Sequence, residues 1–386
     1  MAAAQAAAPV QVPYTQFTLP NALHVILHED HSTPMVTVNV WYHVGSAREK
    51  PGRTGFAHLF EHLMFEGSEH LNSGYFVPLQ RVGAAVNGST NTDRTNYWEV
   101  VPTNAIDLAL WMESDRMGHL LPALTPERFE TQRGVVMNER RQNYENRPYG
   151  LSLMALSTAL YPEAHPYRWP TIGAADDLRA MQFDDVRAFF RTYYHPGNAS
   201  LVLAGDLTVE QGFALAERYF GEIPCGEAIP ALDVPPVTST GRRLLLEDRV
   251  ELPRLYLSWR SPELFAPGDA ELDLVSDLLA NGRTSRLYKR LVYDLKIAQT
   301  VSAGQSSLSL GSYFVIEATP QPGHTVDELL KVIDEEIAKL QAEPPSDHEL
   351  QRSLNQFEAS FYNRMERVGG FGGKADQLNA YYTYAG

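Results

Sequence analysis

The chain has 386 residues, 44% hydrophobic and 20% charged, a formal net charge of −15 and one cysteine, Cys225. This length exceeds the roughly 250–300 residues that one core fills, so two domains are expected, and with no 18-residue apolar run no membrane span is expected. The acidic balance argues against a nucleic-acid partner bound through basic surface, and a lone cysteine excludes an intrachain disulfide or a cysteine zinc cage, leaving His and carboxylates for any metal.

In chain order, Met1–Pro9 is rich in alanine and resembles the small-residue stretch around a cleavage site. It implies an exported, periplasmic protein, with a cytoplasmic location as the alternative. From Phe17 to Gly45, alternating residues rich in Val and Ile, with turns at Pro20-Asn21 and His31 to Pro34, predict two paired strands. His24 and His28 lie four apart there, but a strand separates them by about 13 Å, too far to share a metal. Gly55 to Phe65 places Phe56, Leu59, Phe60, Leu63 and Met64 at helical spacing, with Gly67 as a stop.

Asn87 to Val101 reads as strand and Ala105 to Leu120 as helix. Thr125-Pro126-Glu127 supplies an N-cap, a first-turn proline and an early acid, opening a helix to about Asn143. Helices at Gly150–Leu160 and Phe183–Tyr194, a strand at Ser200–Ala204 and a helix at Val209–Phe220 follow, an α/β sandwich by alternation. The proline-rich run Pro224 to Pro236 suggests a linker over 226–240, between domains at 1–225 and 241–386. Beyond it, Arg242–Trp259 reads as strands, Asp269–Asp294 as helices, Tyr313–Thr319 as a strand and Val326–Gln341 as an amphipathic helix, repeating the earlier order. Ala375–Gly386 is aromatic-rich with no final strand or cap, so the polypeptide is expected to continue. Gly369 to Lys374 lacks the first glycine and the Ser/Thr of a phosphate loop and predicts only a turn.

His58-Leu59-Phe60-Glu61-His62 carries the chemistry. Helical residues at i and i+4 point both imidazoles at one locus, and Glu61 shares that face, where a carboxylate can take a proton from a water activated by metal. The flanking Leu59, Phe60, Leu63 and Met64 bury the helix, and buried His and Glu need strong partners. Zinc needs a third protein ligand while keeping a fourth position open. Glu139, mid-helix beside Val135 and Val136, is the candidate, although the sequence alone permits Glu130 or Glu145.

The H-x-x-E-H order, with a glutamate 77 positions after its second histidine, resembles the pitrilysin/insulinase family of zinc metallopeptidases, in particular bacterial members similar to mitochondrial processing peptidase. Leu19-Pro20-Asn21, Val44-Gly45-Ser46, Asn87 to Tyr97, Glu113 to Met117, Glu139 to Gly150, His165-Pro166-Tyr167, Tyr194 to Asp206, Gly282 to Leu291 and Gly369 to Asn379 recur there in this order. The resemblance implies an α+β fold of two topologically similar domains, each a mostly antiparallel sheet packed with helices, forming half of a clamshell. It implies one Zn²⁺ per chain held by His58, His62 and Glu139, with Glu61 as the base in peptide hydrolysis. It also implies that Asn87, Gly88, Ser89, Thr90 and Asn91 form an exposed sheet edge to which peptide adds as a strand.

Two positions depart from the family pattern. Gln132 stands where a second glutamate is common, seven before the ligand, which puts the support of the metal ligands in question. Val292 and Gln299 stand where active members carry an arginine and a tyrosine that reach substrate across the clamshell, so a second homologous half is expected to supply that pair. The expected function is zinc-dependent cleavage of short or unfolded polypeptides. The alternative is a catalytically silent structural or processing subunit of the same family.

Overall fold

The computed structural model describes residues 11–232, 234–237 and 241–386. The reading of Met1–Pro9 falls outside the described residues, as do four positions of the expected linker. A six-stranded sheet is built from β1 (Thr15–Thr18), β2 (His24–Glu29), β3 (Met35–Tyr42), β4 (Ala85–Thr90), β5 (Thr95–Pro102) and β6 (Ala199–Gly205). Its order is β1-β2-β6-β3-β5-β4, antiparallel except where β2 and β6 run parallel.

The expected pairing of two strands between Phe17 and Gly45 is therefore corrected. β6 lies between β2 and β3, and β2 pairs back onto β1. Every residue of β6 is buried, and a strand covered on both faces is favoured at the centre of a sheet. The single strand expected over Asn87 to Val101 is instead the hairpin β4–β5. Asn91 makes its turn, its side-chain oxygen accepting the N–H groups of Asp93 and Arg94, each at 2.8 Å.

Helices α1 (Phe56–Leu63), α2 (Phe76–Arg81), α3 (Ile106–Ala123), α4 (Pro126–Arg140), α5 (Ser152–Leu160), α6 (Ala175–Ala180), α7 (Phe183–Tyr193) and α8 (Val209–Phe220) complete this part. α4 begins as its sequence predicts: the Thr125 side chain caps it by accepting from the Arg128 N–H, and Pro126 fills the first turn. Val25, Leu27, Val36, Val38 and Val40 of the sheet pack with Leu59, Phe60 and Leu63 of α1, Leu110 of α3 and Phe220 of α8.

The second sheet is smaller: β7 (Leu255–Ser261), β8 (Ala298–Ser306) and β9 (Ser312–Pro320), in the antiparallel order β7-β9-β8. α9 (Asp269–Ala280) and a π-helical turn at Tyr288–Asp294 precede β8, while α10 (Val326–Ala342) and α11 (Asp347–Met365) follow β9. This repeats β3-β5-β4, a first strand, helices, a hairpin and two more helices. Of the strands expected over Arg242–Trp259 only β7 forms. Residues 241–254 pair with no strand, and Leu244, Leu245 and Leu246 are exposed. β8, made largely of small and polar residues, gave no strand signal.

The last stretch forms a helix, α12 (Lys374–Ala385), with no side-chain cap at its start. It returns to the first sheet, where Ala375, Leu378 and Tyr382 cover Ile26, Val202 and Ala204. Gly369 is close-packed at this return: a Cβ there would come within 2.2 Å of Thr37 Oγ1. The two sheets also meet at the β4–β5 turn. Tyr167 donates its hydroxyl to Asp93 at 2.5 Å, Ser309 N–H donates to the same carboxylate at 3.1 Å, and Leu310 N–H donates to the Tyr167 oxygen at 2.9 Å.

Candidate metal centre

α1 is short and begins at Gly55, whose φ of 94° suits glycine. Its first N–H groups are taken by the buried carboxylate of Glu49, which accepts from Gly55 at 2.9 Å and from Ala57 at 2.8 Å. With Leu59, Phe60 and Leu63 locked in the core, His58 and His62 are left on one face, ring centroids 4.8 Å apart.

α4 packs across that face and brings Glu139 to it. Glu139 Oε2 lies 3.4 Å from His62 Nε2 and 3.7 Å from His58 Nε2. Bonds of about 2.0–2.1 Å to a tetrahedral zinc ion set donor atoms roughly 3.3–3.4 Å apart, so these three fit one ion with a corner to spare. Of the three carboxylates that the sequence allows, Glu130 instead pairs with Arg133, and Glu145 lies 3.3 Å from Arg140.

The electrostatics suit a cation. Burial, with His62 alongside, pushes His58 down to about 4 against the pull of Glu139, so it is neutral and free to ligate. Contact with His62 holds the Glu139 carboxyl below its usual value, against the effect of burial. Burial opposes charge on His62 too, but Glu139, Glu61 and the Gln132 side chain prevail and raise it. Burial raises Glu61, opposed by the Thr90 hydroxyl, which donates to its Oε2 at 2.5 Å, and by His62 and Arg94.

Gln132 also donates through Nε2 to Glu66 Oε1 at 2.5 Å, linking the motif helix's exit to α4. β4 forms the free end of the sheet beside α1, with Asn87 exposed and Gly88, Ser89 and Thr90 half-buried, while Asn91 belongs to the turn. Sequence reasoning missed Glu49 and Arg94. Arg94 spans the hairpin, donating to the Ser89 carbonyl at 2.9 Å and hydroxyl at 2.7 Å. Hairpin register would have revealed it had the turn at Asn91 been recognised. The Glu113–Met117 motif is supporting structure: Arg116 is fully buried, paired with Glu113 and Glu99, its Cζ 4.0 and 4.2 Å from the Tyr75 and Tyr97 rings. His24 and His28 take no part, the one stacked on Tyr382 and the other within 2.7 Å of the Pro13 carbonyl.

Residues 24–168 match the family model for the insulinase peptidases, family M16, and residues 180–357 match the one described as the M16 inactive domain. The second match contains none of His58, Glu61, His62 or Glu139. The chain is 30% identical to the zinc protease PqqE of Helicobacter pylori over 90% of its own length and 79% of that protein. Among solved structures, a protease from Helicobacter pylori superposes with a TM-score of 0.88 at 27% identity, covering 97% of this chain and 90% of that one. The periplasmic protease PqqL of Escherichia coli shares the fold at a TM-score of 0.74 and 19% identity, over 98% of this chain but 42% of the other. No helix among the described residues is long and apolar enough to cross a membrane. With a donor set fit for zinc, and relatives named as zinc proteases, the chain belongs to the pitrilysin/insulinase family of peptidases, M16.

Proposed function

We propose that this chain is the metal-bearing half of a zinc endopeptidase that cleaves short or unfolded polypeptides. The carrying observation is the convergence of His58, His62 and Glu139 from two helices, with Glu61 on the same face. His58, His62 and Glu139 would hold one Zn²⁺, which would supply Lewis-acid polarisation of a carbonyl and a lowering of the pKa of water toward about 7. Glu61, oriented by Thr90, accepts the proton of the attacking water and returns one to the leaving amine. Substrate adds to β4 at Asn87–Thr90, through main-chain groups that every peptide carries.

The boundary over 226–240 would separate a zinc-bearing domain from a second domain of related topology. Val292 packs against the second core and Gln299 is exposed on β8, so neither replaces the missing arginine and tyrosine. A second family half would supply them, and PqqL, of which this chain covers 42%, has length for such a half. Export to the periplasm is part of this reading.

The test combines metal analysis with hydrolysis of an unstructured peptide, using the chain alone and with an Arg/Tyr-bearing half of the same family added. One zinc per chain is expected, weak cleavage alone and strong cleavage in the pair. Glu61→Gln should keep the zinc and lose about 10²-fold or more in rate. A chain without zinc, or without cleavage in the pair, leaves the silent-subunit alternative standing, and a Glu61→Gln variant that cleaves as the parent does refutes the role of Glu61.

A further inference from the structure

A second set of donors lies outside the centre described above. Glu69, His70 and His119 place ligand atoms within 4.8 Å of one another. His119 Nδ1 is 3.3 Å from Glu69 Oε2, and the His70 and His119 rings stand edge-on with centroids 5.0 Å apart.

The cluster is built on features with no other evident use. α3 is irregular at His119, whose φ of −132° and ψ of 25° depart from helix. Pro122 explains this, since its ring displaces the carbonyl four residues earlier and it has no N–H to donate. At the same irregular turn the His119 carbonyl accepts the Glu69 N–H at 3.0 Å, tying the segment after α1 to the kink. Behind His70 lies Asp115, only 4% exposed, with Oδ1 2.5 Å from His70 Nδ1. Its other oxygen accepts from the Ser68 hydroxyl and, at 3.3 Å, from the His70 N–H. A buried carboxylate behind one nitrogen of a half-exposed ring is the arrangement that orients metal-bound histidines.

The geometry points to a second, solvent-facing cation site held by Glu69, His70 and His119, with Asp115 as the orienting carboxylate, taking Zn²⁺ or an ion of similar preference. Two imidazoles and one carboxylate suit borderline transition metals and not Ca²⁺ or Mg²⁺, which require more oxygen ligands. All three ligands are about half exposed, so small rotations close their atoms toward the roughly 3.3 Å spacing of a tetrahedral ion and leave one corner to water. The ion cross-links the segment leaving α1 to α3.

The experiment is a calorimetric Zn²⁺ titration of the metal-free full chain and of His70→Ala, His119→Ala and the double variant. Two equivalents are expected, the second weaker and unaffected by millimolar Ca²⁺ or Mg²⁺. Each single variant should weaken that second equivalent about tenfold or more. The first equivalent should be unchanged, which also reports that the variants fold. Saturation at one equivalent that His58→Ala removes overturns the inference, as does a second equivalent that survives in the double variant. A single equivalent that survives His58→Ala and is lost in the double variant would instead refute the reading of the first centre. Anomalous scattering from zinc-soaked crystals of the unaltered chain decides independently, and an ion absent from the Glu69, His70 and His119 cluster counts against the site.

Discussion

Glu61 is fixed on the face of α1 shared with His58 and His62 by the Thr90 hydroxyl 2.5 Å away. A hydrogen bond to an ionised group contributes about 1.5–3 kcal/mol, so on the proposed function Thr90→Val should lower the peptidase rate constant about tenfold or more while the zinc content is unchanged. Rate and metal analysis on one preparation check this, and loss of zinc would show that Thr90 supports the ligands instead. At this scale the site was largely legible. The spacing of His58 and His62 and the apolar residues between them predicted both the helix and the shared face. Glu139 was not separable from Glu130 and Glu145 by residue pattern alone, because which carboxylate faces α1 depends on how two helices pack, although the arginines that pair with the other two lie only three and five residues away.

The β4–β5 hairpin is the element that joins this chemistry to the rest of the fold. Gly45 lies against its turn: Ser46 and Ala47 donate to the Asn91 and Thr92 carbonyls at 3.1 and 2.8 Å, and a Cβ on Gly45 would stand 2.3 Å from the Asn91 oxygen. Gly45→Ala should displace the turn, and with it Thr90, destabilising the chain measurably in thermal unfolding and reducing cleavage. On its other side the turn is held by Asp93, Tyr167 and Ser309. Tyr167→Phe leaves a largely buried Asp93 carboxylate short of a donor and should cost about 1–3 kcal/mol in urea unfolding. An unchanged midpoint would mean that the contact between sheets is energetically idle. The hairpin reads as one strand in the sequence because β propensity runs through both arms and the polar Asn91-Thr92-Asp93 between them is too short to interrupt it. The place of β6 was hidden for a different reason, since a parallel pairing with β2 joins residues far apart in sequence and leaves no local signal.

Across the whole molecule, ion pairs tie its distant segments together and set its response to acid. Lys374 at the start of α12 lies 2.5 Å from Asp30 at the end of β2, and this contact, with Ser32, holds the Asp30 carboxyl well below the usual range. In the second part Arg286 grips Glu349 through two nitrogens, at 2.8 and 3.1 Å, and brings it down to about 2. Carboxyls depressed in the folded state add stability that is present above their unfolded values near 4 and is lost as pH falls through the folded ones. Stability to urea should therefore fall from about pH 4.5 downward, and Lys374→Met should remove part of that dependence. An equal slope in the two proteins would show that the Asp30 pair contributes nothing. The two-part architecture and the repeated order were legible from alternating patterns. The crossing of α12 back to the first sheet was not, because its aromatic residues give no direction and its partners, Ile26, Val202 and Ala204, lie far back in the chain.

That crossing bears on synthesis. Ile26, Val202 and Ala204 have left the ribosome long before Ala375, the residue that covers them, is made. At about 5–20 residues per second, the ~170 residues from Ala204 to Ala375 take roughly 10–35 s, during which the back of the central sheet is bare apolar surface. A nascent chain stalled within that interval should bind holdase chaperones and release them once α12 emerges.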